Sequence, residues 1–426
     1  MTKSALAAAA AAAVALLAAG AAHPRGRPVT GALLGVVSDH SQPEHEWLVH
    51  VSRRNLRPMR GRRLPLGGLG GYAWSFSPDW SALALGLQDR LTDGDEDPQA
   101  SLRFVDVSSL GVTHDLALGP GYVWAAEWLS PDRLVAIVAH CCSHPVDLVV
   151  VDPAGQRVIH REPLAARSPT WSQRAGGRFV ALLVGEHTIG PAHLLVVDGR
   201  GAAREVALDR IDAGSERFGP DTDPGVDYVS PGLAVEPEGR RAFVVAPSGL
   251  VADVDLASGS VSYHPPSARR ALSAPLKRDE GATRVARVLP NGLLAVSGSD
   301  DRARHVPAGL RLVDPSTWTS RLIDRKADFV TLAGNLMLAT GTKSRSVLPQ
   351  GSGLTAYTLA GKKRFRLFKG EEVFVEQVYG RRAFVNVSRV VQPSPLRVVD
   401  LRKGRVVGRR AYEKLPMLLA GASASG

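Results

Sequence analysis

An all-β fold built from repeated four-stranded units is what the 426-residue sequence predicts, on three observations. A short apolar strand ending in an acidic or polar residue recurs eight times, as "EWLVHV", "SLRFVDV", "DLVVVDP", "HLLVVDG", "LVADVDL", "GLRLVDP", "GLTAYTL" and "PLRVVDL", with end marks 42 to 59 residues apart. A second apolar run precedes each copy, among them "SALALGL", "RLVAIVA", "RFVALLV" and "RAFVVAP". Turn signals punctuate every apolar run, and helix-period patterning is absent beyond the first residues, which argues against an α/β alternative. Four short strands per unit of about 40 to 50 residues is the blade of a β-propeller.

Within one unit the order is an aromatic or apolar leading strand, a tight turn, a buried strand, a variable loop, a second buried strand, a turn and an outer strand of mixed polarity. The leading strand and its turn are clearest in "GYAWSFSPDWSALALGL" (71 to 87) and "GYVWAAEWLSPDRLVAI" (121 to 137), which repeat the same order of aromatic run, Ser-Pro-Asp and apolar run. Eight copies predict eight blades, or seven if the copy around "GLTAYTL" is not a true blade. The first copy begins at "GALLGVV" without its own leading strand, while "EKLPMLLAG" (413 to 421) is an apolar strand with no unit of its own. An open sheet edge invites aggregation, so the C-terminal strand is expected to complete the first blade and close the ring. The expected organisation is a signal peptide over 1–22, one propeller domain over 23–421 and a flexible tail over 422–426.

The turn pieces resemble secreted propellers of the YVTN and TolB-like kind. The resemblance rests on "FSPDWSALAL" (76 to 85), "LSPDRLVAIV" (129 to 138), "VEPEGRRAFVV" (235 to 245), "DLASGSV" (255 to 261) and "DLRKGRV" (400 to 406). It implies the fold rather than an activity. The Gly-His and Trp-Asp markers of tryptophan-aspartate repeats are missing, and so is the Trp after Gly of quinone-binding propeller repeats, which weighs against a quinoprotein dehydrogenase.

The first residues, "MTKSALAAAAAAAVALLAAGAAHPRG", carry one Lys, an Ala-rich apolar stretch and small residues before a polar segment, the pattern of a secretory signal peptide cleaved near Ala21 or Ala22. The run is too short and Ala-rich to sit comfortably across ~30 Å of hydrocarbon. The expected product is a secreted or extracytoplasmic monomer without a transmembrane segment. Its two cysteines are adjacent, Cys141 and Cys142, so no disulfide framework staples it and stability must come from the core, for which 44% apolar residues suffice. The net charge of +11 is carried mostly by Arg and gathers in turns and late strands such as "AGKKRFRLFKG" (360 to 370) and "DLRKGRVVGRRAYEK" (400 to 414). Solvated outer strands are one reading; attraction to an anionic surface, such as a cell-wall polymer or lipid headgroups, is the other. Nucleic acid is not expected as a partner of an exported protein.

The recurrent Asp106, Asp152, Asp198, Asp255, Asp314 and Asp400 each open a tight turn, where a carboxylate accepts backbone N–H groups two residues on, so they are expected to be structural. Asp79 and Asp132 have the same explanation. Candidate recognition residues lie instead in the loops between the two buried strands, since rigid blades position variable loops. Seven histidines fall there: His40, His45, His140, His144, His187, His193 and His305. In "DGDED", Asp93, Asp95 and Asp97 alternate as a calcium loop begins, but Pro98 stands where the sharp-turn Gly belongs and no Glu closes the loop. The insertion "DAGSERFGPDTDPGVD" (212 to 227) reads as a second acidic loop. No nucleophile elbow, zinc-protease helix or phosphate-cradling Gly loop is present.

Glu127 aligns with Trp74 on a leading strand, and leading strands line a propeller's channel; it is therefore either a partner for an Arg of a neighbouring blade or a channel ligand. Together these features predict a binding or scaffold module with no cofactor, recognising a protein, glycan or wall polymer through its loop-rich face. The ligand-binding candidates are Glu127, His140, His144, His187, His193 and His305. The alternative is a metal-assisted hydrolase or lyase with its site at the channel.

Overall fold

The computed structural model describes residues 33–39, 42–66, 73–88, 99–140, 146–164, 167–185, 188–218, 225–265, 281–301, 306–343, 350–388, 395–410 and 415–419. All regular elements among them are β-strands. The chain divides into two compact units, one comprising 1–181, 195–205 and 413–421, the other 182–194, 206–412 and 422–426.

In the first unit, β1 (Leu33–Asp39), β2 (Gln42–Val51) and β3 (Pro58–Pro65) form an antiparallel meander. It is followed by β4 (Trp74–Phe76), β5 (Ala82–Gln88), β6 (Gln99–Asp106) and β7 (Gly111–Pro120), then by β8 (Tyr122–Ser130), β9 (Arg133–Ala139), β10 (Val146–Asp152) and β11 (Arg157–Leu164), each set a four-stranded sheet in chain order. Next come β12 (Arg167–Ala175), β13 (Arg178–Gly185), β14 (Ile189–Val197) and β15 (Ala203–Phe218), the last three of which contribute residues to both units.

In the second unit the strands are β16 (Gly225–Ser230), β17 (Gly232–Val235), β18 (Arg241–Val245), β19 (Val251–Asp255), β20 (Val261–His264), β21 (Ala282–Val288), β22 (Leu294–Asp301), β23 (Val306–Pro307), β24 (Leu310–Asp314) and β25 (Thr319–Asp324). They continue with β26 (Phe329–Ala333), β27 (Leu336–Thr340), β28 (Thr342–Lys343), β29 (Gln350–Gly351), β30 (Leu354–Thr358), β31 (Lys363–Leu367), β32 (Val373–Tyr379), β33 (Arg382–Val387), β34 (Leu396–Asp400) and β35 (Arg405–Arg410). The last strand, β36 (Met417–Leu418), belongs to the first unit and pairs antiparallel with β1 through Gly35↔Leu418 and Val36↔Met417.

Six separate four-stranded sheets result: β3-β2-β1-β36, β4 to β7, β8 to β11, β17 to β20, β26-β27-β30-β31 and β32 to β35. These are the blades of a β-propeller. The remaining long strands run in one sheet, in the order β12-β13-β14-β15-β16-β21-β22-β24-β25. The segment read from sequence as an acidic loop at 212 to 227 supplies the link: Gly214–Phe218 pairs antiparallel with Gly225–Val229, and Val229 and Ser230 pair parallel with Ala282 and Thr283. Other loops are also shorter than the sequence implies, because β2 starts at Gln42 and β22 runs to Asp301.

The middle strands are buried on both faces, which is why they read as continuous apolar runs rather than as alternation. In β9 every residue from Leu134 to Ala139 is buried, and β10 is buried from Val146 to Val151. The outer strands β3 and β11 are mostly exposed. Between the sheets β4 to β7 and β8 to β11, Leu102, Phe104, Trp128, Leu134, Val138 and Val149 form one core cluster, with Phe104 and Trp128 edge to face at 6.0 Å. Each such side chain, fully buried, contributes roughly 1.5–3 kcal/mol.

The recurrent aspartates sit where the sequence puts them. Asp106 accepts Ser109 N at 2.7 Å, Asp255 accepts Ala257 N and Ser258 N at 3.0 and 2.7 Å, Asp314 accepts Ser316 N at 2.9 Å and Asp400 accepts Lys403 N at 2.9 Å. Hydrogen bonds to the ionised form hold the Asp79, Asp106 and Asp314 carboxyls below their ordinary range. Four residues after the aspartate these turns need a left-handed backbone. Gly259 and Gly404 supply it at φ +79° and +62°, whereas Leu110, Gln156 and Trp318 adopt it at 52°, 50° and 57° despite their side chains. Gln156 is exposed and loses little packing if truncated. Gln156→Gly is therefore expected to raise stability by about 0.5–1 kcal/mol, read as a higher urea midpoint with an unchanged slope.

Candidate functional site

In the first unit, β4 and β8 are the leading edge strands of their sheets. An edge strand turns half of its N–H groups away from its only neighbour, so a buried one needs an acceptor elsewhere. Ser75 on β4 supplies it: its hydroxyl accepts Trp128 N at 2.9 Å and donates to Glu127 Oε2 at 3.0 Å. Ser75 is buried, so one small side chain ties the two strands together and also orients the carboxylate. Trp74, the residue aligned with Glu127 by the repeat, donates its indole N–H to Leu419 O at 3.0 Å, alongside the β36 pairing.

Glu127 keeps part of its surface accessible but lies deep among protein atoms. Burial is the dominant influence on its carboxyl and raises it to about 7; the positive charge of Arg174 on β12 and the Ser75 hydrogen bond pull the other way without prevailing. Burial likewise lowers Arg174, and Glu127 partly restores it. Arg174 on β12 is near enough for its charge to act on the Glu127 carboxyl. The arrangement leaves a carboxyl divided between its two protonation states near neutral pH, so it can give or take a proton there.

His140 is placed just after β9, its Nε2 3.6 Å from Asp147 Oδ2, and the same oxygen accepts Arg161 Nη1 at 2.7 Å. Arg161 also donates to Leu118 O, which bridges β11 to β7. His140 is thus held in a polar cluster with its own sheet. His193, on β14, is half-buried. His144, His187, His305, Asp93, Asp95, Asp97, Cys141 and Cys142 lie outside the described residues. Among the described residues no three His, Cys, Asp or Glu side chains gather as a metal site.

Sequence reasoning missed Ser75 and Arg174. Nothing local marks them, since Ser75 stands in an aromatic run and Arg174 in a polar stretch. It also missed Arg284 on β21, which is 1% exposed in the second unit. Its guanidinium donates to Thr283 O at 2.8 Å, Ser299 O at 3.0 Å, Pro247 O at 2.5 Å and Asp300 Oδ1 at 2.5 Å. The pattern "ATRVARV", with Arg inside an otherwise apolar strand, is the signal that was available. Beside it the backbones of β17 and β21 approach closely at Gly232, where a Cβ would stand 2.8 Å from Ala286 N and 3.0 Å from Arg284 O.

The chain matches no family model and no curated protein in sequence. Solved structures similar to it include dihydro-heme d1 dehydrogenase NirN in complex with DHE, at TM-score 0.55 and 15% identity over 93% of this chain and 76% of that one. Others are Chaetomium thermophilum Sqt1 bound to the N-terminus of the ribosomal protein L10, at TM-score 0.47 and 14% identity over 80% and 86% of the two chains, and BamB from Moraxella catarrhalis, at 0.45 and 11% over 76% and 87%. The fold is a β-propeller. At 15% identity the likeness to NirN carries the fold and none of its chemistry.

Proposed function

We propose that this protein is an exported propeller of eight blades, of the YVTN and TolB-like kind, closed by its C-terminal strand, that works as a binding module at an anionic surface. The observation that carries the reading is the placement of charge on outer strands. In the first unit β3 exposes Arg60, Arg62 and Arg63; in the second, β31 exposes Lys363 and Arg364, and the turn and strand at β35 expose Arg402, Lys403, Arg405 and Arg409. Exposed outer strands of one sign attract anionic polymers and headgroups without needing a shaped site. The eight-blade reading is supported by the two four-strand runs inside the long sheet, β12 to β15 and β21, β22, β24 and β25, beside the six separate sheets. Closure is supported by the pairing of β36 with β1. Partner choice falls to the loops read from the sequence between the buried strands, whose candidates are His140, His144, His187 and His305, with His193 on the adjoining β14.

The test is retention of purified protein on vesicles rich in anionic lipid, and on an anionic wall polymer, at ~20 mM and ~150 mM salt. Screening shortens to ~8 Å at the higher salt, so retention is expected to fall strongly. Retention that ignores salt, or no retention at either salt, would remove the basis for the reading.

A second reading, a metal-assisted hydrolase or lyase, is favoured by the placement of Glu127: a carboxyl on the leading strand β8, oriented by Ser75 Oγ at 3.0 Å and raised by burial into a range suited to proton transfer. Stoichiometric transition metal in purified protein, lost on replacing His140, His187 or Glu127, would put this reading first.

A further inference from the structure

In the second unit the sheets ending in β25 and beginning with β26 enclose a cleft of about 250 Å3. Its lining is polar, and four of its five charged side chains are cationic: Arg325 and Lys326 come from the link between β25 and β26, Lys363 and Arg366 from β31, against one carboxylate, Asp324. That carboxylate is already committed, since Asp324 accepts the Tyr357 hydroxyl at 2.8 Å and Lys326 N at 2.9 Å. Four cations therefore share a cleft in which the single anion is hydrogen-bonded on its own side.

Arg366 adds an independent observation. Its Nη2 donates to Ser352 O at 2.8 Å, which fixes the guanidinium plane, while its Nε is buried with no hydrogen-bond partner. A planar guanidinium anchored at Nη2 and lining a cationic cleft matches the setting in which Arg receives oxyanions. The cleft is roomy enough for a phosphate or for a small phosphate ester.

We propose that this cleft is a binding site for phosphate, either the free ion or the phosphoryl group of a small ester, with Arg366 as the fixed donor and Lys363, Arg325 and Lys326 as the surrounding charge. A basic outer strand is then more than solvated surface: its exposed Arg364 faces solvent, while Lys363 and Arg366 line a shaped site. The inference does not rest on attachment to an anionic surface, because a free small anion involves no surface.

The experiment is calorimetric titration of the full chain with inorganic phosphate at low ionic strength, with glycerol phosphate in a second arm and chloride as control. Saturable binding of one equivalent is expected, weakened about tenfold or more in Arg366→Gln and in Lys363→Gln, as loss of a charge-assisted contact implies. Lys363 is exposed, so that variant keeps the fold if Arg366→Gln does not. Tighter binding of glycerol phosphate than of phosphate would assign the site to an ester, and the reverse to the free ion. No saturable binding in the wild type, or binding unchanged in Lys363→Gln, would overturn the proposal, and neither result bears on vesicle retention.

Discussion

Glu127→Gln is expected to make the protein more stable at pH 8 and to flatten the dependence of its stability on pH between about 4.5 and 7. Burial raises this carboxyl from its ordinary 4.5 to about 7, so the folded state holds a proton there that the unfolded chain has released. Stability contributed by the protonated form is complete below 4.5 and is lost as pH rises through 7. Glutamine keeps the shape and the neutral state, and so does not ionise. The gain at pH 8 has an upper limit of about 3 kcal/mol, reduced because the side chain keeps part of its surface in water. Urea unfolding of both proteins at pH 5 and pH 8 measures it. A variant less stable than the wild type at pH 8 would mean that Arg174 needs its counter-charge more than the fold gains from neutrality.

Arg284→Ala should have the opposite sign and a larger size. The guanidinium satisfies three carbonyls and Asp300 at a place where it is 1% exposed, so truncation leaves buried acceptors without donors and opens a void. A loss of about 3–5 kcal/mol is expected. Arg284→Lys should also destabilise, because an ammonium cannot span acceptors on Pro247, Ser299 and Asp300 together. The measurement is again the urea midpoint, with near-ultraviolet circular dichroism to report tertiary packing. An alanine variant within about 1 kcal/mol of the wild type would show that the acceptors find water and that Arg284 does not pin the loop at Pro247 to β21.

Much of the blade was legible because its determinants are local. Ser-Pro-Asp before an apolar run specifies a turn and a buried strand within some ten residues, and Ser77, Asp79 and Ser81 do bond one another as that pattern requires. The run "RLVAIVA" is β9, buried nearly throughout, and "RVVGRRAY" begins as the mostly exposed β35. The loops were harder. Residues 212 to 227 carry Gly, Pro and acidic residues that favour turns, yet Gly214–Phe218 lies in a ladder with β16, because available edge hydrogen bonds override weak local preference.

What the sequence by itself determined is the all-β class, the propeller unit, the structural role of the recurrent aspartates and the presence of a carboxylate on a leading strand. Each follows from periodicity or turn chemistry within one segment. Only the tertiary structure decided that Glu127 meets Ser75 within reach of the Arg174 charge, that Arg284 reaches Pro247, and that Arg325 and Lys326 share a cleft with Lys363 and Arg366. Those partners sit on different blades, 37 to 52 residues apart where a hydrogen bond joins them. The physical reason is that backbone pattern fixes which strands form, while the charge state and contacts of a side chain depend on what another strand places beside it after burial has removed water.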